Sequence, residues 1–169
     1  ANATSGFGID KSALSATLYQ ALIGQVQAGD AVIKTPLTHL DLIAANHDLI
    51  GAEVELISQE DREFRLAACI KAIASRYQYI IIDCPPALGM LTINALCAAD
   101  AVIIPIQCEF YAMEGLAQLL ETIDLVRASF NPRLQVDGIL LTMYDKRTNL
   151  SRQVEQDIRA AMGALVFQS

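Results

Sequence analysis

The sequence predicts an α/β fold with a doubly wound, mostly parallel sheet. Strand-like and helix-like segments alternate along the chain, which favours right-handed crossovers between parallel strands. Residues 79–83 form an apolar run of buried-strand character that ends in a carboxylate, and Pro85 and Pro86 then prevent the ladder from continuing. Hydrophobic residues make up 53% of the 169 residues, as expected for strands covered on both faces. We predict one domain over residues 1–169.

The individual segments follow in order from the amino terminus. Residues 1–10 are small and polar and predict a loop, after which Ser12 caps a helix over residues 13–27 with leucines repeating on one face. Further predicted elements are a strand at 40–45, a helix at 49–57 capped by Asp48, a helix at 61–76, the strand at 79–82, a helix at 88–98, a strand at 101–106, a helix at 112–130, a strand at 135–142 and a helix at 150–162.

Composition narrows the possible partners. The formal charge of −7 argues against a bulk electrostatic grip on nucleic acid, so any DNA contact has to be a local basic patch. No apolar run approaches 18 residues and no signal sequence opens the chain, so we expect a cytoplasmic protein without a membrane partner.

The four cysteines lack C-x-x-C spacing and are interpreted as small buried hydrophobic residues. His39 and His47 read as surface or turn residues with no metal-like arrangement.

Asp83 is the strongest candidate site residue. Ligands of parallel sheets bind beyond the carboxyl ends of the strands, and Mg²⁺ prefers oxygen ligands, so a nucleotide–Mg²⁺ site is indicated. The alternative is that Asp83 only ends a strand and caps the next helix. A phosphate loop should lie opposite, yet no G-x-x-x-x-G-K-[ST] sequence is present. The nearest imitation, GFGIDKS at residues 6–12, has its lysine misplaced and carries a repelling Asp10. We expect the first strand and the phosphate loop upstream of Ala1.

Five separated segments carry a resemblance to a known family. They read ANATSGFGI at residues 1–9, GAEVEL at 51–56, YIIIDCPP with LGMLTINAL at 79–86 and 88–96, IPIQCEFYAMEGL at 104–116, and LLTMYDKRTNL at 140–150. In this order they closely resemble the ParA/Soj chromosome-partitioning ATPases, members of the deviant-Walker class that also includes MinD. The resemblance runs through essentially the whole chain and covers the middle part of the family.

For the nucleotide site, the resemblance implies a P-loop NTPase-like fold that is incomplete, because the first strand and the phosphate loop are missing. Asp83 matches the Walker B acid that binds Mg²⁺ through water, and Pro85, Pro86 and Gly89 match the adjoining switch region. Glu109 is implied near the nucleotide. The catalytic switch I aspartate would lie upstream of Ala1, so no catalytic residue is assigned. ATP and Mg²⁺ are the cofactors implied for the parent protein, with none expected on the isolated chain.

The resemblance also implies two interaction surfaces. The dimer face of an ATP-dependent homodimer would include Glu109, Tyr111, Met113, Glu114 and Gly115. Arg147, with Lys146 beside it, matches a basic position implicated in nonspecific DNA binding. The simpler alternatives are that Gly89 is a turn residue, that Glu109 is a solvated acid at a strand end, and that Lys146 and Arg147 are ordinary loop charges.

The function implied for the parent protein is Mg²⁺-dependent ATP hydrolysis that drives chromosome or plasmid segregation. It would dimerise on ATP, bind DNA in the nucleoid and respond to a centromere-binding ParB/Spo0J-type protein, whereas the isolated chain should be inactive. Two alternatives stay open: a MinD-like regulator of division-site placement, and a catalytically dead, nucleotide-free interaction module. Without the first strand, its neighbours should expose apolar faces and unpaired edges that favour association.

Overall fold

The computed structural model describes residues 2–10 and 14–168, and it divides into two compact units, Ala1–Ala98 and Ala99–Ser169. Both units combine helices with strands, and the second contains a parallel strand pair. The predicted α/β class with a parallel sheet is thereby confirmed. Within the described ranges, no helix is long and apolar enough to cross a membrane. That one domain spans residues 1–169 stays a prediction.

The first unit combines short α-helices with an antiparallel hairpin. Its elements are α1 (Asn2–Gly6), α2 (Leu18–Leu22), β1 (Val32–Lys34), β2 (Asp41–Ile43), α3 (Leu49–Glu55), α4 (Arg65–Ile73) and α5 (Met90–Ala98). Single 3₁₀ turns adjoin these elements at Ala28–Ala31, Leu56–Ser58, Arg62–Phe64 and Ala74–Arg76. The predicted helix at 61–76 is therefore interrupted at both ends, with only its centre α-helical.

The amino-terminal part departs from the sequence prediction. The expected loop over residues 1–10 contains the one-turn helix α1. The helix expected over residues 13–27 is reduced to α2, which ends just before Gly24, a glycine with φ of +81° that other residues rarely adopt. Its predicted cap Ser12 and first residue Ala13 lie outside the described residues.

The strand expected at residues 40–45 is present as β2, but it pairs in an antiparallel hairpin with β1, which the sequence did not predict. One polar contact joins β1 to β2, and another holds the hairpin to the segment after α4. The Asp41 carboxylate accepts hydrogen bonds from Lys34 Nζ at 2.9 Å and from the Tyr77 hydroxyl at 2.8 Å. These two donors hold the pKa of Asp41 below its usual value.

A buried asparagine joins α4 and α5. Asn94 is 1% exposed, and its Oδ1 accepts a hydrogen bond from the Leu66 amide at 3.0 Å. Its Nδ2 donates to the carbonyls of Arg62 at 2.8 Å and Met90 at 3.1 Å. The side chain thus satisfies an amide in the first turn of α4 that has no partner within that helix. The core around it consists of Leu22, Ala52, Leu56, Leu66 and Ala95.

The strand predicted at residues 79–82 is absent, which corrects that interpretation for this chain. Residues 78–88 form no backbone–backbone hydrogen bond within the described structure, and Ile81 is 92% exposed. A strand exists only through pairing with a neighbour, and none of the described residues pairs with this segment. Tyr79 in the same segment is exposed as well.

The second unit is built on a parallel pair of strands. Its elements are β3 (Ala101–Gln107), α6 (Ala112–Ser129), β4 (Gln135–Thr142) and α7 (Asn149–Met162). The sequence predicted these bounds to within one residue, because long apolar strands and amphipathic helices are strong local signals. The register places Ile104 opposite Ile139 and Ile106 opposite Leu141. A parallel bridge from Ile139 to Val166 extends the ladder beyond β4.

Burial alternates along β3, which corrects the expectation that both faces of this strand are covered. Ile104 and Ile106 are buried, whereas Ile103 is 56% exposed on the opposite face. On β4, Gly138 lies directly under the carboxyl-terminal segment, and the Phe167 amide donates to the Ile139 carbonyl at 3.0 Å.

The cysteines are less uniform than predicted. Cys97 and Cys108 are buried and Cys69 is half-buried, but Cys84 is exposed because the segment that carries it is unpaired. Burial, with a smaller contribution from the charge of Glu63, raises the pKa of Cys97 to about 11. The two histidines are exposed, as predicted for surface or turn positions.

Candidate functional site

The Asp83 loop, defined as residues 77–89, carries the carboxylate that the sequence singles out. The Asp83 side chain is exposed and, among the described residues, it forms no hydrogen bond and no ion pair. Helix α5 begins only at Met90, so Asp83 does not cap it. Its oxygens are open to solvent and are the donors that Mg²⁺ prefers. The residue fits a magnesium ion that is held through water.

Gly89 closes the Asp83 loop by a close approach to α3. A Cβ added to Gly89 would lie 2.3 Å from Glu53 Oε1, so a side chain there displaces the glutamate. The Gly89 carbonyl accepts the Ile93 amide at 3.1 Å, which starts the first turn of α5. Gly89 is therefore a packing position at the start of α5. Pro85 and Pro86 are exposed on the same loop.

A groove of about 1210 Å³ in the first unit borders the Asp83 loop. Its lining is mostly apolar and includes Leu66, Ile70 and Ile73, together with Asp83. The described residues supply no lysine-bearing glycine loop to it. Gly6 ends helix α1 and Gly8 follows it, whereas the glycines of a phosphate loop precede a helix. Lys11 and Ser12 of the GFGIDKS segment lie outside the described residues.

The predicted dimer-face residues gather where β3 leads into α6. Glu109, Tyr111, Glu114 and Gly115 are exposed, and Met113 is partly so. The rings of Tyr111 and its neighbour Phe110 meet edge to face with centroids 5.1 Å apart. Sequence reasoning missed Phe110, although two adjacent aromatics in a chain with 6% aromatic residues are a usable signal. Exposed aromatic rings are typical of interface centres.

A local basic patch, defined as Lys146, Arg147 and Arg152, surrounds the start of α7. Thr148 caps the helix by accepting the Ser151 amide at 3.3 Å. The side chains of Lys146 and Arg152 form no hydrogen bond or ion pair within the described residues. The positive end of the helix dipole adds to these charges. Sequence reasoning missed Arg152. The sequence predicts that the helix starts at residue 150, which places Arg152 in the first turn of the helix, close to Lys146 and Arg147.

Arg147 is engaged by an acid in its own loop. Its guanidinium donates from Nε to Asp145 Oδ1 at 3.0 Å and from Nη2 to Asp145 Oδ2 at 2.9 Å. The Arg147 amide donates to the same Oδ1 at 2.9 Å. These contacts lower the pKa of Asp145 and raise that of Arg147. Asp145 is a third residue that sequence reasoning did not assign.

Tyr144 and Met143 differ in their surroundings. Met143 is exposed and adopts a φ of +54°. Glu155 on α7 accepts a hydrogen bond from Arg159 Nε at 2.9 Å. The interaction of the Glu155 carboxylate with Tyr144, together with that of Arg159, lowers the pKa of Glu155, and the same interaction raises the pKa of Tyr144.

The chain matches known proteins along almost its whole length. A family model described as an AAA domain matches residues 1–136. The chromosome partitioning protein ParA of Myxococcus xanthus is 50% identical over 167 residues, which is 99% of this chain and 59% of that protein. The sporulation initiation inhibitor protein Soj of Bacillus subtilis is 49% identical over 168 residues, 99% of this chain and 66% of that protein. The chain thus spans about three-fifths to two-thirds of these relatives.

Solved structures give the same fold. Cobyrinic acid a,c-diamide synthase from Mycobacterium smegmatis, with bound ATP analog and magnesium, superposes with a TM-score of 0.88 at 40% identity over 96% of this chain and 66% of that one. A putative plasmid partition protein from Borrelia burgdorferi bound to AMPPNP gives a TM-score of 0.82 at 25% identity, over 94% and 64% of the two chains.

Proposed function

This chain belongs to the AAA-domain family that contains the ParA and Soj chromosome-partitioning ATPases, and from that premise we propose that it is the central part of an ATPase that segregates chromosomes or plasmids. The observation that carries the proposal is the 50% identity to ParA over 99% of the chain. Two exposed clusters, the Asp83 loop and the basic patch, support it because they have the chemistry that ATP–Mg²⁺ and DNA require.

In the proposed nucleotide site, Asp83 would hold Mg²⁺ through water, and Pro85, Pro86 and Gly89 would form the segment that responds to the nucleotide. The unpartnered carboxylate supports this assignment, and a related structure holds an ATP analog and magnesium. When bound, the metal would neutralise charge on the phosphates. The 169 residues contain no glycine–lysine phosphate loop, so on their own they should bind and hydrolyse ATP negligibly.

The proposed dimer face comprises Glu109, Tyr111, Met113, Glu114 and Gly115 at the start of α6. Their exposure and the adjacent aromatic pair support an interface, because burying exposed aromatic rings against a partner surface removes apolar area from water. Glu109 would also lie near the nucleotide. Two protomers closed around ATP would place two basic patches on one DNA, so that a weak contact becomes bivalent. A ParB/Spo0J-type protein would then stimulate hydrolysis and reverse the closure.

The test of the nucleotide site uses the intact protein that carries this chain. Asp83→Asn keeps the shape and removes the charge, so it should weaken Mg²⁺-dependent binding of a fluorescent ATP analog about 10- to 100-fold, the usual range for groups one shell away from a metal. Binding measured in EDTA should change little. Asp30→Asn, at an exposed aspartate of the same unit, is the matched control. Equal magnesium dependence in Asp83→Asn and wild type contradicts the assignment.

A second function is favoured by one observation, the 40% identity to a structure named cobyrinic acid a,c-diamide synthase. Incubation of the intact protein with cobyrinic acid, ATP, magnesium and an ammonium salt or glutamine as the source of the amide nitrogen distinguishes the two functions. A diamide product detected by mass spectrometry would support a synthase. ATP turnover that rises with DNA and a ParB-type protein, with no corrinoid product, would support partitioning, which the 50% identity to ParA favours.

A further inference from the structure

The guanidinium of Arg147 already has an anionic partner. Two of its donor nitrogens, Nε and Nη2, point at the two oxygens of Asp145 in a bidentate fork. This is the geometry with which arginine binds a phosphate diester. Arg147 is 89% exposed and Asp145 39%, so a phosphate can reach the arginine from solvent. A phosphate that takes the same Nε–Nη2 fork has to replace the carboxylate, whereas Nη1 forms no hydrogen bond among the described residues.

The carboxylate is held in place by the loop itself. The Asp145 carbonyl accepts both the amide and the hydroxyl of Thr148 at 3.1 Å, and Asp145 Oδ1 accepts the Arg147 amide at 2.9 Å. Thr148 in turn caps α7. The turn therefore presents Asp145 to Arg147 at little entropic cost, unlike most surface pairs.

We propose that Asp145 is an internal competitor for the DNA phosphate at Arg147, a positioning residue that lowers nonspecific DNA affinity. This inference rests on the proposed DNA-binding function of the basic patch. Lys146 and Arg152, which have no ion-pair partner within the described residues, make the first contact with the duplex. Arg147 adds bidentate binding through Nε and Nη2 only when a phosphate takes the place of the carboxylate. Binding is thereby kept weak enough for the protein to leave DNA once one protomer lets go.

The decisive variant is Asp145→Asn, which removes the charge and keeps an oxygen for the Arg147 amide. Binding of the intact protein, with ATP and Mg²⁺, to a fluorescent random-sequence duplex is measured by anisotropy over a salt series. The free energy of an exposed ion pair corresponds to about a two- to fivefold change in a binding constant. Asp145→Asn should tighten binding by that factor per protomer. Arg147→Gln should weaken binding and reduce the salt slope by about 1. In the Arg147→Gln background, Asp145→Asn should have no further effect.

A matched control separates this pair from general charge effects. Asp124 on α6 pairs with Arg127 at 3.0 Å in the same unit, so Asp124→Asn removes one negative charge from a comparable ion pair and should bind DNA as the wild type does. Asp145→Ser, which also retains an acceptor for the turn, replaces Asp145→Asn if circular dichroism shows that the latter is unfolded.

The outcomes are distinguishable. If Asp145→Asn leaves affinity unchanged, or tightens it equally in the Arg147→Gln background, the competitor role is wrong while the DNA site stands. If Arg147→Gln binds DNA as well as the wild type, or if the wild type does not bind at all, the DNA site fails and the competitor role fails with it. Tightening that requires Arg147 supports both.

Discussion

Gly138 offers the sharpest quantitative test of the second unit. A Cβ added at this position would lie 2.6 Å from Phe167 Cζ, 2.9 Å from Phe167 Cε2 and 3.0 Å from the Leu165 carbonyl oxygen. Non-bonded carbon atoms are normally about 3.5–4.0 Å apart, so the carboxyl-terminal segment has to move by roughly 1 Å. Overpacking of this kind costs about 1–3 kcal/mol. We expect Gly138→Ala to destabilise the protein by that amount.

The Leu165 contact is with backbone, so a change of side-chain rotamer cannot relieve it. The shift would also strain the hydrogen bond from the Phe167 amide to Ile139, which is 3.0 Å long. Urea unfolding followed by circular dichroism measures the decrease in the free energy of unfolding. Replacing Phe167 by Leu in the Gly138→Ala background should recover part of it, because the ring contacts disappear while the carbonyl contact remains.

Gly115→Ala is the matched control. Nothing lies within 4 Å of a Cβ at Gly115, and the residue is in helix α6, where alanine is favoured over glycine. This variant should be stabilised by about 0.5–1 kcal/mol. A Gly138→Ala protein as stable as Gly115→Ala would refute the close approach of the carboxyl-terminal segment to β4.

Three further outcomes are expected. The methyl group of Gly89→Ala contacts only the flexible end of the Glu53 side chain, so thermal unfolding should show a decrease in the free energy of unfolding below about 0.5 kcal/mol. A decrease as large as that of Gly138→Ala would contradict this packing. Alkylation of the exposed Cys84 thiol in the intact protein should slow when ATP and Mg²⁺ are present, because Cys84 is next to Asp83, the proposed metal ligand. An unchanged rate of alkylation, measured in tryptic peptide maps, counts against the site. Arg147 lowers the pKa of Asp145, so the pair stabilises the fold at pH values above the unfolded-state pKa, and this stabilisation is lost as pH falls through the folded-state pKa. Titration followed by carbon NMR should show a higher Asp145 pKa in Arg147→Gln than in the wild type. An unchanged Asp145 pKa in that variant would disprove the pair.

The sequence was sufficient where local signals decide the structure. The bounds of β4 and α6 follow from an apolar run and from a helical period, and both were predicted to within one residue. The hairpin of β1 and β2 was not predicted, because three-residue strands have little pattern of their own and depend on each other for their hydrogen bonds.

The site was predicted unevenly for related reasons. Asp83 stands out because an acid follows an apolar run, but whether residues 79–82 are a strand depends on a neighbour that the run itself cannot reveal. Asp145 precedes Arg147 by two positions, which allows many geometries. Only the turn that begins α7 directs the carboxylate back onto the guanidinium.

The absence of backbone hydrogen bonds in residues 78–88 limits what a metal ion can do at Asp83. Fixing the five residues 79–83 in one conformation costs roughly 5–10 kcal/mol of conformational entropy. A single carboxylate that reaches magnesium through water does not offset a cost of that size. If Asp83 holds Mg²⁺ as proposed, the affinity of this position therefore depends on how well residues 79–83 are ordered before the metal arrives, as much as on the carboxylate itself.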